Sequence, residues 1–177
     1  MPHTHAYVGL GSNLGDRAGY LLLAVRGMLD AGLRLTRLSS VYETAPVGVS
    51  TAQPLFLNMV AELALDSASP SPEQLLARLL RIEYSLGRRR EQLLAPRTID
   101  LDLLLYGDMQ IDTDFLALPH PRLHLRRFVL VPLCELAPDA LHPTRGESFK
   151  LLLSGLSDAS QVGRWPASSG SGALSAS

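Results

Sequence analysis

The sequence predicts an α+β fold, and three observations carry that reading. Apolar residues recur at helical spacing in two separated stretches, near 17–31 and 72–86. Runs rich in β-prone residues lie around them, at 6–10, 33–44, 55–65 and 96–106. Glycine, serine and proline clusters separate these runs. The resulting order is strand, helix, strand, strand, helix, strand. That is the split βαβ pattern of a ferredoxin-like βαββαβ sandwich, here with C-terminal additions.

Each element has its own signal. Ala6-Tyr7-Val8-Gly9-Leu10 reads as a short strand, and 11–16 (Gly-Ser-Asn-Leu-Gly-Asp) as a turn. Glycines at 9, 11 and 15 miss the dinucleotide fingerprint by one position, which argues against a Rossmann fold. Asp16 or Asn13 is placed to cap a helix from Arg17 to Ala31 that presents Leu21, Leu22, Val25, Met28 and Leu29, and Gly32 ends it. A strand is expected from Leu33 to Thr44, a loop from Val49 to Pro54, and a strand from Leu55 to Leu65. Ser71-Pro72-Glu73 starts the second helix, with proline at its first position and an acid in its first turn; it stops near Gly87. Later elements are a short pairing at Met109 to Ile111, a loop around Pro119-His120-Pro121, a helix from Leu125 to Leu136 and a short element at Phe149 to Leu153. One domain is expected over 1–165, followed by a disordered low-complexity tail over 166–177.

Composition narrows the functional classes. At 177 residues and 46% hydrophobic content the chain can bury a core. A net charge of −1 gives no overall basic field for nucleic acid or membrane, so any phosphate site must be local. The single cysteine, Cys134, excludes an intrachain disulfide framework and reads as a buried structural thiol. The only lysine, Lys150, precedes Leu-Leu-Leu, so a P-loop is absent and ATP would have to be held by arginines and metal. No basic N-terminal stretch or long apolar run is present, and a cytoplasmic protein is expected.

The run Pro96 to Tyr106 is the most informative. Alternation puts Thr98, Asp100 and Asp102 on one face and Ile99, Leu101, Leu103 and Leu105 on the other. The two Asp Cα atoms would then lie roughly 6.5–7 Å apart. Paired carboxylates in a largely buried strand need a cation beside them. Candidates are Arg97 and Mg²⁺, which takes one or two carboxylates and completes its shell with water and phosphate oxygens. Upstream, Arg88, Arg89 and Arg90 follow Gly87 and supply planar forks matched to phosphate. An edge strand with a solvated face is the plainer reading of Asp-x-Asp alone, and a solvated charge run that of the arginines. Core packing is likewise the plainer reading of Phe56 and Phe128, and a surface loop that of His120.

Further motifs occur in order: Tyr-Glu-Thr-Ala-Pro-Val-Gly (42–48), Phe-Leu-Asn (56–58), Arg-Ile-Glu (81–83), Leu-Pro-His-Pro-Arg (118–122), Arg-Phe-Val-Leu-Val-Pro-Leu (127–133) and Leu-Ala-Pro-Asp (136–139). With Gly-Ser-Asn-Leu-Gly-Asp and the Asp-x-Asp run, the set resembles the 6-hydroxymethyl-7,8-dihydropterin pyrophosphokinases of folate biosynthesis over residues 5–155. The resemblance implies transfer of pyrophosphate from ATP to the pterin hydroxymethyl group, release of AMP, and two Mg²⁺ ions. It implies that Asp100 and Asp102 hold both metals. Arg88, Arg90, Arg97 and Arg126 would face the ATP phosphates, with Glu83 and His120 also facing ATP. Arg88, Arg97, Asp100 and Asp102 would form the catalytic set. The pterin would meet Asn58, Asp100, Thr44, Ala45 and Val47, with Phe56 and Phe128 sandwiching its ring. At 93–95 the chain has Leu-Leu-Ala where many members carry Arg-Trp-Gly. Closure of a lid over Arg88 to Pro96 should therefore rest on Arg88, Arg90 and Arg97. Leu125 replaces a common glutamate. A monomer acting on ATP and a reduced hydroxymethylpterin is expected, with no nucleic acid or membrane partner. A metal-dependent glycosyltransferase would leave the pterin-side motifs unexplained. A nucleic-acid module would want more than 6% aromatics and a basic surface. A silent ligand-binding domain would not need both aspartates and the arginines.

Overall fold

The computed structural model describes residues 4–48, 52–89 and 95–165. Arg90, the 166–177 tail and most of the expected 88–96 lid lie outside the described residues. The first strand, β1 (Thr4–Ser12), runs beyond its expected end into the turn motif. It is followed by α1 (Arg17–Asp30), β2 (Leu35–Leu38), β3 (Tyr42–Thr44), β4 (Phe56–Leu65), α2 (Pro72–Ser85) and β5 (Asp100–Tyr106). The C-terminal additions are β6 (Ile111–Asp112), β7 (Ala117–Leu118), a 3-10 turn (Leu123–Leu125), α3 (Arg127–Leu136), α4 (Phe149–Ser154) and β8 (Val162–Arg164). The main sheet runs β5-β1-β4-β3-β8, with β2 also on β4, and its pairs are antiparallel. This is the ferredoxin-like arrangement.

Helix ends follow local chemistry. Asp16, not Asn13, caps α1 by accepting from the Gly19 N–H at 3.0 Å. Gly32 then takes a φ of 74°, which a side chain would resist, and the chain turns back. Ser71 and Gln74 form a reciprocal capping box on α2, with Pro72 at its start.

The two faces of the sheet differ. Ala6, Val8 and Leu10 of β1, Leu57, Met59 and Ala61 of β4, and Leu101 and Leu103 of β5 pack with Leu21, Met28, Leu75 and Leu79 of α1 and α2. On the opposite face, Tyr7, Val60 and Leu104 pack under α3 and α4 against Leu130, Leu133 and Phe149. That cover extends over only part of the face. Gly9, Gly11, Phe56, Asn58, Asp100 and Asp102 line a cavity beside it.

The expected strand over Leu33 to Thr44 is broken. Ser39 bonds to Val60 through both its side chain and its backbone: the Val60 N–H donates to Ser39 Oγ at 2.9 Å, and the Ser39 N–H donates to the Val60 carbonyl at 2.9 Å. A local hydroxyl thus takes the place of a ladder bond. Leu105 also departs from alternation. The register shifts between Tyr7 and Val8, which places one extra residue on β5, and Leu105 joins Leu104 under α3. The helix expected from Leu125 opens as a 3-10 turn and becomes α-helical at Arg127. β8, which carried no sequence signal, completes the far edge on β3, where the Trp165 N–H also reaches the Val41 carbonyl. Cys134 is half-buried, and burial pushes its thiol up to about 11, in line with a structural role.

One charged cluster sits in this framework. Glu62 is 2% exposed, yet it accepts from Tyr7 Oη, Thr36 Oγ1 and both ends of the Arg37 fork. Among the described residues no helix is long and apolar enough to cross a membrane.

Candidate active site

The cavity has a volume of about 740 Å³. Its floor is β1, where Gly9 and Gly11 bring backbone, not side chain, to the surface. A Cβ on Gly11 would meet Asn58 Oδ1 at 2.9 Å, so a side chain there would displace the neighbouring amide.

One end is ionic. Asp100 and Asp102 pair in register with Gly11 and Gly9 and line the cavity together, as alternation predicts. Arg97 Nη1 donates to Asp100 Oδ2 at 2.8 Å, and Arg88 Nη2 lies 3.8 Å from Asp100 Oδ1. Arg126 lines the same wall; burial, then the nearby Arg122, hold its guanidinium below the usual range, while Asp102 and Asp100 pull the other way. Arg97 Nε is buried with no hydrogen-bond partner among the described residues. A buried cationic N–H of this kind suits an anionic oxygen.

The donor set also fits Mg²⁺. Two carboxylates face one volume, and among the described residues no cluster of three or more His, Cys, Asp or Glu could form a closed metal cage. A hard cation that keeps waters and takes phosphate oxygens needs no more protein ligands than these.

His120 lines the cavity between the ionic end and α3. Its backbone N–H donates to the Leu104 carbonyl at 2.9 Å, which fixes the loop against β5. Burial, then Arg126 and Arg122, lower its pKa to about 4. The ring is therefore neutral near pH 7. Nδ1 accepts from the Arg122 N–H at 3.2 Å, so Nε2 carries the proton and is a donor.

The other end is apolar and amidic. Asn58 Nδ2 donates to Thr44 Oγ1 at 2.7 Å, both residues being buried. Phe56 and Phe128 line the cavity with Thr44, Ala45 and Val47. Each ring carries a guanidinium at 5.5 Å, Arg97 over Phe56 and Arg126 over Phe128. These cation–π contacts join the two ends of the cavity.

Glu83 is not brought to the cavity wall. It is 1% exposed, and its Oε1 accepts from the Leu101 N–H at 2.7 Å, bracing α2 against the strand that bears the carboxylates. Conversely, Arg122 and Leu125 line the cavity without having been singled out as site residues. Arg122 lies within the Leu-Pro-His-Pro-Arg motif, which was the available signal.

Residues 7–138 match the model of the family described as 7,8-dihydro-6-hydroxymethylpterin-pyrophosphokinase. The chain is 47% identical over 132 residues to the 2-amino-4-hydroxy-6-hydroxymethyldihydropteridine pyrophosphokinase of Bacillus subtilis, covering 74% of this chain and 77% of that one. It is 40% identical over 166 residues to the protein of the same name from Synechocystis, covering 93% and 81%. A crystal structure of wild-type Plasmodium falciparum HPPK-DHPS shares the fold, with a TM-score of 0.64 at 14% identity. That likeness covers 86% of this chain and 44% of the Plasmodium chain, so this chain spans less than half of it.

Proposed function

The chain belongs to the 7,8-dihydro-6-hydroxymethylpterin-pyrophosphokinase family and transfers pyrophosphate from ATP to its pterin substrate in folate biosynthesis, and from this we propose how its cavity divides the work. The observation that carries the reading is the convergence of Asp100, Asp102, Arg88, Arg97 and Arg126 on one end of a cavity whose other end is Phe56, Phe128, Asn58 and Thr44. The ionic end takes the triphosphate and the amidic end takes the pterin.

In the transfer, the hydroxymethyl oxygen forms a bond to the β-phosphorus. The bond from that phosphorus to the oxygen retained by AMP breaks, and the hydroxyl proton leaves to solvent. Asp100 and Asp102 would hold two Mg²⁺ ions, which would neutralise the triphosphate and acidify the attacking hydroxyl. Arg88, Arg97 and Arg126 bind the phosphate oxygens and hold the reacting atoms in line. His120 donates Nε2–H to the nucleotide rather than acting as a base, since its other nitrogen is occupied. Asn58 reads the edge of the pterin, and Phe56 and Phe128 hold its faces. Glu83 keeps the Asp-bearing strand in place. We place Arg90 with the phosphate-binding arginines. We further propose that the chain acts as a monomer in the cytoplasm.

Incubation with ATP, Mg²⁺ and 6-hydroxymethyl-7,8-dihydropterin tests the reading. AMP is expected in equal amount to the pterin diphosphate; ADP as the product would overturn it. The division of the cavity has its own test. Asn58→Ala and Phe128→Ala should each weaken pterin binding by about 1–3 kcal/mol, roughly 5- to 150-fold, while ATP affinity changes little. Equal losses for both ligands in calorimetry would mean a general packing defect.

A further inference from the structure

Asn13 stands just past the end of β1, wholly buried. It does not cap α1, because Asp16 does. Its side chain is instead spent on two segments far apart in sequence. Oδ1 accepts from the Arg97 N–H at 2.8 Å, and the Asn13 N–H donates to the Arg97 carbonyl at 3.1 Å. Arg97 is thus gripped on both sides of its Cα. Nδ2 donates to Gln53 Oε1 at 3.2 Å and to the Pro54 carbonyl at 3.3 Å. The acceptor and both donors of the amide have protein partners.

One arm leads through Arg97 to Asp100, at the ionic end of the cavity. The other leads through Pro54 and Leu55 to Phe56, at the pterin end. The arms meet again inside, where the Arg97 guanidinium holds Asp100 while lying over the Phe56 ring. Arg17 Nη1 donates to the Leu55 carbonyl at 2.7 Å and to Glu43 Oε1 at 2.9 Å, which secures the second arm from its outer side.

We propose that Asn13 is a positioning residue that couples the two substrate subsites. This rests on the division of the cavity given above. A short amide has little slack. A shift of the Arg97 peptide toward bound phosphates either breaks a hydrogen bond or draws Gln53 and Pro54 with it. Ordering one arm therefore prepares the other, and the second ligand meets a site already set.

The test is pterin affinity by calorimetry, with and without a non-hydrolysable ATP analogue and Mg²⁺. In the unaltered chain the analogue should tighten pterin binding at least ~5-fold, a usual size for coupling between sites. In Asn13→Ala the effect should fall to about 2-fold or less, the loss of roughly one hydrogen-bond energy. Leu152→Ala, on the buried face of α4, lowers stability without touching either arm and should keep the coupling. If Asn13→Ala does not fold, Gln53→Leu removes one pterin-side acceptor while leaving the Arg97 grip, and should reduce the coupling with nucleotide affinity unchanged. Coupling that persists in the folded Asn13→Ala chain, or in Gln53→Leu when that variant stands in, overturns the proposal. So does coupling absent from the unaltered chain or lost equally in Leu152→Ala. Failure of the functional reading would look different: the unaltered chain would make no AMP.

Discussion

Asp100→Asn and Asp102→Asn should each lower Mg²⁺-dependent AMP formation by roughly 10³-fold, equivalent to about 4 kcal/mol of transition-state stabilisation. The amide preserves shape but removes the charge that a hard cation requires. Asp100 also anchors Arg97 at 2.8 Å, so its loss leaves the guanidinium without its carboxylate partner. Asp102 pairs across from Gly9, one alternation further along β5, and neither residue belongs to the apolar clusters. The fold should therefore persist in both variants, with far-ultraviolet circular dichroism unchanged. Raising Mg²⁺ should recover part of the activity if the defect is metal affinity. Turnover near that of the unaltered chain in both variants would remove the metal assignment.

Replacing Glu62 by Gln should have the largest effect on stability. Burial alone would push this carboxyl up, but hydrogen bonds from Arg37, Thr36 and Tyr7 outweigh it, and the pKa falls from 4.5 to about 2. A group whose folded value lies below its unfolded value stabilises the fold above the unfolded value. That contribution is lost as pH falls through the interval between them, here from about 4.5 to about 2. The interval corresponds to roughly 3 kcal/mol. Urea unfolding should show the unaltered chain losing that much more than Glu62→Gln across the acid range, with the Gln variant less stable at pH 7. Parallel pH profiles for the two chains would show that the carboxylate is not the acid-sensitive group.

Much of the site was legible because strand periodicity and helix capping are local. Alternation alone put Asp100 and Asp102 on one face, and Ser71-Pro72-Glu73 marked the start of α2. The failures have non-local causes. Ser39 breaks a strand by bonding to Val60, a partner visible only once β4 is beside it. Leu105 changes face because of a register shift against β1. Not a failure but equally non-local is the bond from the Leu101 N–H to Glu83, which depends on how α2 seats on the sheet. Asn13 was a candidate cap for α1, and its actual use joins segments that no local rule connects.

The position of β1 between β5 and β4 has a consequence for how the molecule comes into being and comes apart. Ala6 pairs with Leu63 on one side and Tyr106 on the other. Both partners are made long after β1 has left the ribosome, and pairings so distant along the chain form slowly. An apolar strand must therefore wait, first for β4 and then for β5. The anionic strand is the later of its two neighbours to be synthesised, so the carboxylates dock onto strands already made. Because both substrate-binding halves lean on the same strand, neither can melt alone without stripping the other of its support.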